Sequence, residues 1–158
     1  MANIKRISKE YQDLEKTPIP GITINIPDES NLSLWHVTLT GPPSTPYANG
    51  KFGLKIELPP TYPFAAPKVT FFTRIYHPNV TCDTEGNICI GLLKPDQWKP
   101  ASKMAAVLAA VRQLLIEPNP DDPLETRIAE EYTKEKPKFE KQAAEYTKKY
   151  ASASNPFA

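Results

Sequence analysis

The stretch Tyr76–Ala101 has the sequence YHPNVTCDTEGNICIGLLKPDQWKPA. It places His77–Asn79 ahead of Cys89, which has isoleucine on both sides, and it ends in Trp98–Ala101. A thiolate is both a capable nucleophile and a tolerable leaving group, so one cysteine can accept an acyl group and pass it to an amine. A lone cysteine is also often a buried core residue. The motifs on both sides of Cys89 favour a functional site.

Four short segments upstream of this stretch alternate apolar and polar residues. The alternation is clearest in Phe52–Leu58, where every second residue is apolar. The other three segments are 22–26, 34–39 and 69–72. Residues that favour chain reversal separate the segments, and no helical pattern intervenes. The pattern predicts an antiparallel meander of four strands with helices covering one face.

Apolar residues at helical spacing predict helices at both ends of the chain. The first helix is predicted to end near Lys16, and its apolar stripe consists of Ile4, Ile7, Tyr11 and Leu14. A long central helix follows the cysteine stretch. Its stripe runs from Met104 to Leu115, and Ser102 is its predicted N-cap.

Proline marks the starts of two further helices. Asp122 and Pro123 fit an N-cap followed by a proline at the first helical position, which predicts a short helix over Leu124–Tyr132. A last helix is predicted from about residue 137 to residue 150. The tail, residues 151–158, is expected to fray.

Length and composition indicate a single domain. The 158 residues carry 19 basic and 18 acidic side chains, a balance that provides no overall field for binding nucleic acid or a membrane surface. Two cysteines and no apolar leader do not suggest a secreted disulfide framework, so we expect a cytoplasmic or nuclear location. No apolar run approaches the roughly 20 residues of a membrane span.

The chain resembles the ubiquitin-conjugating enzymes. The resemblance rests on the His77-Pro78-Asn79 motif, Cys89 and the Trp-x-Pro-Ala segment, and it extends from Ile4 to about Tyr150. It implies the α+β ubiquitin-conjugating (UBC) fold: an N-terminal helix, a four-stranded antiparallel meander, a central helix and two C-terminal helices. The expected organisation is one core domain, residues 1–150, with a short tail, residues 151–158.

The resemblance also implies an activity. The chain is expected to accept ubiquitin from an activating enzyme as a Cys89 thioester and to transfer it to a substrate lysine, usually with a ligase of the RING or HECT type. The activating enzyme uses the ATP, so no cofactor and no metal is expected. The alternatives are conjugation of another ubiquitin-like modifier, a non-catalytic scaffold that binds ubiquitin or a ligase, and a free-standing cysteine hydrolase.

The same resemblance assigns roles within the site. Asn79 can stabilise the oxyanion formed when the thioester is attacked, and it can also brace a turn. Asp122 can position and desolvate the incoming lysine amine, or it can act only as the helix cap. The residues expected to support the site structurally are His77, Pro78, Tyr76 and Asn119.

Two surfaces are expected to bind partner enzymes. Lys5, Arg6 and Lys9 form a small basic face on the first helix, which matches the docking site for the activating enzyme but can equally be a solvated surface. The surface that matches the ligase contact consists of Phe64, Pro100 and Ala101. The neighbouring Tyr62-Pro63 bond is expected to be cis.

Three features depart from the common family pattern. The interval from Asn79 to Cys89 is two residues longer than usual, with the surplus within Thr81–Glu85, so the geometry survives only if that segment is a hairpin turn. Ile90-Gly91 replaces the usual Leu-Asp and removes one carboxylate. The interval from Cys89 to Trp98 is one residue longer than in many members. Cys82, inside the longer segment, is expected to be a surface thiol.

Overall fold

The computed structural model describes residues 3–158 and contains four helices and four strands within that range. In chain order the elements are α1 (Ile4–Lys16), β1 (Ile22–Asn25), β2 (Leu34–Thr40), β3 (Lys51–Glu57), β4 (Lys68–Phe71), α2 (Met104–Ile116), α3 (Thr126–Lys134) and α4 (Lys136–Tyr150). A short 3-10 turn, Gly91–Leu93, lies between β4 and α2. This arrangement confirms the predicted α+β fold.

The four strands form one antiparallel sheet in the order β1-β2-β3-β4. Trp35 pairs with Ile56 and Val37 pairs with Leu54, so the apolar positions of β2 and β3 lie side by side. These four side chains are at most 1% exposed. They share one core with the apolar stripe of α2, which gives the sheet its covered face.

The start of α2 corrects the predicted cap. Ser102 does not cap this helix; the amide of Met104 donates instead to Oε1 of the buried Glu10 on α1, at 2.7 Å. The other carboxylate oxygen of Glu10 accepts hydrogen bonds from Arg6 Nε, at 3.0 Å, and from the Tyr62 hydroxyl. Glu10 therefore joins α1, α2 and the loop before β4.

The third helix begins two residues later than predicted. The amides of Leu124 and Glu125 both donate to the carbonyl of Pro78, at 2.9 and 3.0 Å. They are thereby held against the cysteine stretch, and the helix begins only at Thr126, with no side-chain cap. The prediction that Asp122 caps this helix is wrong, which leaves its carboxylate available elsewhere.

The C-terminal tail does not fray as predicted. Ala151 is buried and its carbonyl accepts a hydrogen bond from the Lys51 amide at 2.9 Å. The Phe157 ring stacks on His36 with the centroids 4.1 Å apart and the planes 8° from parallel. Gly53 leaves room for this ring, because a Cβ there would lie 2.9 Å from Phe157 Cζ. The tail thus covers part of the sheet face opposite the core. None of the described helices is long and apolar enough to cross a membrane.

Candidate active site

The cysteine stretch forms a hairpin that fixes Cys89 beside Asn79. The Cys89 amide donates to the Asn79 carbonyl and the Thr81 amide donates to the Asn87 carbonyl, both at 2.9 Å. Residues 83–85 are exposed at the tip. The tip is closed by Asp83, whose Oδ1 accepts the amide of Glu85 at 2.9 Å and that of Gly86 at 3.2 Å. The longer segment is therefore a hairpin turn that bulges into solvent. This is the condition under which the two extra residues leave Cys89 beside Asn79.

Gly86 is required where this hairpin meets the sheet. Its φ is +60°, a backbone conformation that disfavours side chains, and a Cβ there would lie 2.0 Å from the carbonyl oxygen of Phe71. The Phe71 amide donates to the Gly86 carbonyl at 2.8 Å. The hairpin is thus docked against the end of β4 through backbone contacts that only glycine permits.

His77 lies in the interior with both ring nitrogens engaged. Nδ1 accepts the Asn79 amide at 2.9 Å, so Nε2 carries the proton and donates to the Leu114 carbonyl, also at 2.9 Å. Burial lowers the pKa of His77 to about 4. The ring joins the cysteine stretch to α2 and has no free nitrogen to act as a base for Cys89.

The Asn79 side chain is a buried brace. Its Nδ2 donates to the carbonyls of Asn119 and Asp122, at 2.8 and 3.0 Å, and its Oδ1 accepts the Asn119 amide at 2.9 Å. Both amide hydrogens are therefore engaged with backbone of the 119–122 loop. The bonds fix that loop, and with it Asp122, next to the cysteine hairpin.

The Cys89 thiol is partly exposed and faces the Asp122 carboxylate. Sγ lies 3.3 Å from Asp122 Oδ2. Burial raises the pKa of the thiol, and the hydrogen bond to Asp122 and its negative charge raise it further. Hydrogen bonds from Lys94 and Cys89 lower the pKa of the Asp122 carboxyl. Cys89 is therefore mostly a protonated thiol at neutral pH, beside an ionised carboxylate.

Lys94 is a member of the site that the sequence did not reveal. Its Nζ lies 2.6 Å from Asp122 Oδ2, the same oxygen that Cys89 contacts. The 3-10 turn at Gly91–Leu93 carries the chain back toward the cysteine, since the Lys94 amide donates to the Gly91 carbonyl at 3.0 Å. A lysine five positions after a cysteine is the only signal, and the spacing alone does not show that the chain turns back.

The other predicted support residues lie in different places. Pro78 is buried and its carbonyl accepts the two amides that precede α3, and Asn119 joins the brace through its backbone. Tyr76 lies in the interior: it is 3% exposed, and its hydroxyl donates to Glu131 Oε1 at 2.9 Å. It belongs to the packing between the sheet and the C-terminal helices.

The predicted docking residues are mostly accessible. Phe64 is 78% exposed beyond a cis Tyr62-Pro63 bond, which confirms that prediction, and Pro100 and Ala101 are exposed. Lys5 and Lys9 are exposed on α1.

Arg6 departs from the exposed face predicted for it. Its Nη2 donates to the Ser102 carbonyl at 2.7 Å and its Nε pairs with Glu10, so its charge is used inside the molecule.

Cys82 is not the surface thiol that was predicted. Like Cys89 it is only partly exposed, but its Sγ lies 3.4 Å from the Tyr146 hydroxyl on α4. Its amide donates to Glu125 Oε2 at 2.9 Å, and its carbonyl accepts from Arg74 at 3.1 Å. Both cysteines are free thiols. Cys82 thus packs against the C-terminal helices, whereas Cys89 faces Asp122.

Comparison with known proteins identifies the family. A family model described as ubiquitin-conjugating enzyme matches residues 6–147. The chain is 46% identical over 149 residues to ubiquitin-conjugating enzyme E2 14 of Schizosaccharomyces pombe, and the alignment covers 94% of each of the two chains. It is 46% identical over 147 residues to ubiquitin-conjugating enzyme E2 N of Drosophila melanogaster, and the alignment covers 93% of this chain and 95% of the relative. The E2 N of Macaca fascicularis is equally similar, with 94% of its length covered.

The helix order, the four-stranded sheet and the partly exposed cysteine define an α+β domain of the ubiquitin-conjugating class. The chain belongs to the ubiquitin-conjugating enzyme family. It is an enzyme, an acyltransferase of the ubiquitin pathway, and the general partners of its family are ubiquitin, an activating enzyme and a ligase.

Proposed function

We propose that Cys89 is the residue that carries ubiquitin as a thioester and that the acceptor is a lysine of a substrate protein. The observation that supports this most is the position of the Cys89 thiol, partly exposed and 3.3 Å from the Asp122 carboxylate. Cys82 offers no comparable position, because it packs against α4. No cofactor takes part, since the activating enzyme uses the ATP.

The transfer needs an attacking amine and a leaving thiol at the same place. The amine nitrogen forms a bond to the acyl carbon, the bond between that carbon and Cys89 Sγ breaks, and Cys89 leaves as a thiolate that takes up a proton. A substrate lysine has an ordinary pKa of about 10.4, so it arrives as an ammonium group and loses two protons on the way to the amide, one before it attacks and one as Cys89 leaves. The Cys89 thiolate takes up one of these protons, and the other passes to solvent. Asp122 is the carboxylate beside Sγ that can bind this ammonium group and receive its proton.

Asn79 holds this arrangement together. Through its three hydrogen bonds to the 119–122 loop it fixes the backbone that carries Asp122. It can also stabilise the tetrahedral oxyanion, provided that one Nδ2 hydrogen exchanges its backbone carbonyl for the developing charge. His77, with both nitrogens engaged, supports the loop and takes no part in proton transfer.

The partner surfaces follow from exposure and charge. Phe64, Pro100 and Ala101 provide an exposed, largely apolar surface for a ligase of the RING or HECT type. Lys5 and Lys9 provide the positive charge on α1 for the activating enzyme, and Arg6 fixes that helix to the start of α2. We place the enzyme in the cytoplasm or nucleus, where its two thiols stay reduced.

A charging assay tests the proposal. The chain is mixed with an activating enzyme, ATP and ubiquitin, and an adduct that reductant removes is expected. Cys89→Ala should abolish the adduct, and the matched variant Cys82→Ala should retain it. An adduct that persists in Cys89→Ala, or the absence of any adduct on the wild-type chain, would contradict the proposal. Charging by a different ubiquitin-like protein, and not by ubiquitin, would contradict the assignment of the modifier.

A further inference from the structure

Lys94 occupies the one carboxylate oxygen that faces the Cys89 thiol. Its Nζ lies 2.6 Å from Asp122 Oδ2, and Cys89 Sγ lies 3.3 Å from the same atom. The Lys94 side chain is 47% exposed and that of Asp122 is 51% exposed, so this ion pair is open to solvent. A lysine ammonium is thus already bound where the proposed mechanism places the ammonium of a substrate lysine.

The backbone around Lys94 is fixed on both sides. Its amide is bonded to Gly91, and its carbonyl accepts the amides of Gln97 and Trp98, at 2.8 and 2.9 Å. Trp98 is buried, and its indole nitrogen donates to the Pro63 carbonyl at 2.8 Å. The position of the Lys94 Cα is therefore set by the fold, and only the flexible side chain must move to release Asp122.

We propose that Lys94 occupies the Asp122 carboxylate beside Cys89 and competes with the incoming substrate lysine for it. The inference rests on the proposed function of Cys89 and Asp122. Two ammonium groups cannot both take the same oxygen at hydrogen-bond distance without repelling each other. A substrate lysine therefore binds this oxygen best once Lys94 has moved away, and a substrate that docks firmly next to the site displaces Lys94 more readily than free lysine does.

A role as activator of the thiol agrees less well with the structure. Lys94 is insufficient for it, since the pKa of Cys89 is raised even though Lys94 opposes the shift. The hydrogen bond and ion pair with Asp122 raise the pKa of the Lys94 amine, as expected for an ammonium group held by a carboxylate.

Discharge of the charged enzyme by free lysine tests the proposal. The Cys89 thioester is formed, the activating enzyme is stopped, and the single-turnover rate is measured against lysine concentration for the wild type, Lys94→Gln and Lys94→Arg. The lysine concentration at half-maximal rate should fall about two- to fivefold in Lys94→Gln, the range expected for an exposed ion pair, with little change in the maximal rate. Lys94→Arg keeps the ion pair and should behave as the wild type.

Two controls make the outcome specific. Lys141→Gln, on the exposed side of α4, removes the same charge far from the site in sequence and should leave the half-maximal lysine concentration unchanged. In an Asp122→Asn background, Lys94→Gln should have no further effect on it. An unchanged or higher half-maximal lysine concentration in Lys94→Gln would overturn the inference about Lys94. The same decrease in the Asp122→Asn background would also overturn it, and neither result would affect the proposed function. A wild-type chain that forms no Cys89 thioester would overturn the proposed function with it.

Discussion

At the scale of single residues, Asp122 acts on Cys89 in two opposite ways. As an acceptor of the thiol hydrogen and as a negative charge it raises the pKa of Cys89, which slows attack by the thiol. In the proposed mechanism, its carboxylate beside the Cys89 sulfur also receives a proton from the acceptor amine. The first effect disfavours charging, and the second favours discharge.

Replacement of Asp122 should separate these effects. Asp122→Asn removes a cause of the raised Cys89 pKa and frees Lys94, so alkylation of Cys89 by iodoacetamide at about pH 7.5 should become faster. Discharge onto free lysine should become slower by about tenfold or more, since a general base is lost. Peptide mapping distinguishes Cys89 from Cys82. Asp121→Asn, at the exposed neighbouring position, is the matched control.

Slower or unchanged alkylation in Asp122→Asn would contradict the electrostatic part of this account. Unchanged discharge would contradict the role of Asp122 toward the amine. The two measurements are independent, because alkylation requires no partner protein and discharge starts from an enzyme that is already charged.

At the scale of helices and strands, the local pattern of apolar residues predicted which elements exist better than it predicted where each one begins and ends. All four strands and α1 were predicted from apolar periodicity, because each element buries one face on a common core. The caps were not predictable in this way. The amide at the start of α2 bonds to Glu10, 94 positions earlier, and the amides before α3 bond to the Pro78 carbonyl. A local rule that assigns caps to Ser102 and Asp122 has no access to such contacts.

The same limit applies to the site. The motif around Cys89 predicted that the cysteine, Asn79 and His77 lie close together, and the hairpin brings them together through local backbone hydrogen bonds. Lys94 and the true position of the Asp122 side chain depend on how the 3-10 turn and the 119–122 loop meet in space. The spacing of residues in the sequence does not show that these two segments come into contact.

Glu10 provides a prediction for the junction of α1 and α2. Glu10→Ala leaves the Met104 amide, Arg6 Nε and the Tyr62 hydroxyl without their acceptor. Loss of a buried acceptor with a charged partner should lower the free energy of unfolding by about 2–4 kcal/mol. Urea denaturation measures this.

Asp13→Ala serves as the control for Glu10→Ala, since it removes an exposed carboxylate from the same helix and should cost less than about 0.5 kcal/mol. Equal stability of the two variants would contradict the assignment of Glu10 as the link between these helices.

At the scale of the whole molecule, the buried His77 makes stability depend on pH. Its folded pKa is about 4, below the ordinary value of 6.5, so the unfolded chain binds a proton more readily than the folded one. The contribution of His77 to the free energy of unfolding is therefore complete above the unfolded pKa and is lost as pH falls toward the folded pKa.

The free energy of unfolding should decrease by about 2 kcal/mol between about pH 7.5 and about pH 5, from this residue alone. Denaturant titrations at several pH values measure the decrease. His77→Gln should have a lower free energy of unfolding at neutral pH, and that free energy should change less with pH over this window. His36→Gln, at the partly exposed histidine under the tail, should keep most of the decrease. A wild-type profile as flat as that of His77→Gln would contradict the buried neutral state of His77.

The central claim is that one sulfur, that of Cys89, carries the modifier, and the attachment site measures it most directly. After reaction with activating enzyme, ATP and ubiquitin, Cys89→Ser should form an ester at residue 89 that resists reductant and is cleaved by alkali. Mass spectrometry should map it to that residue, and the wild-type adduct should disappear on reduction. Modifier mapped to Cys82 or to a lysine in place of residue 89, or a wild-type adduct that survives reduction, would contradict the account.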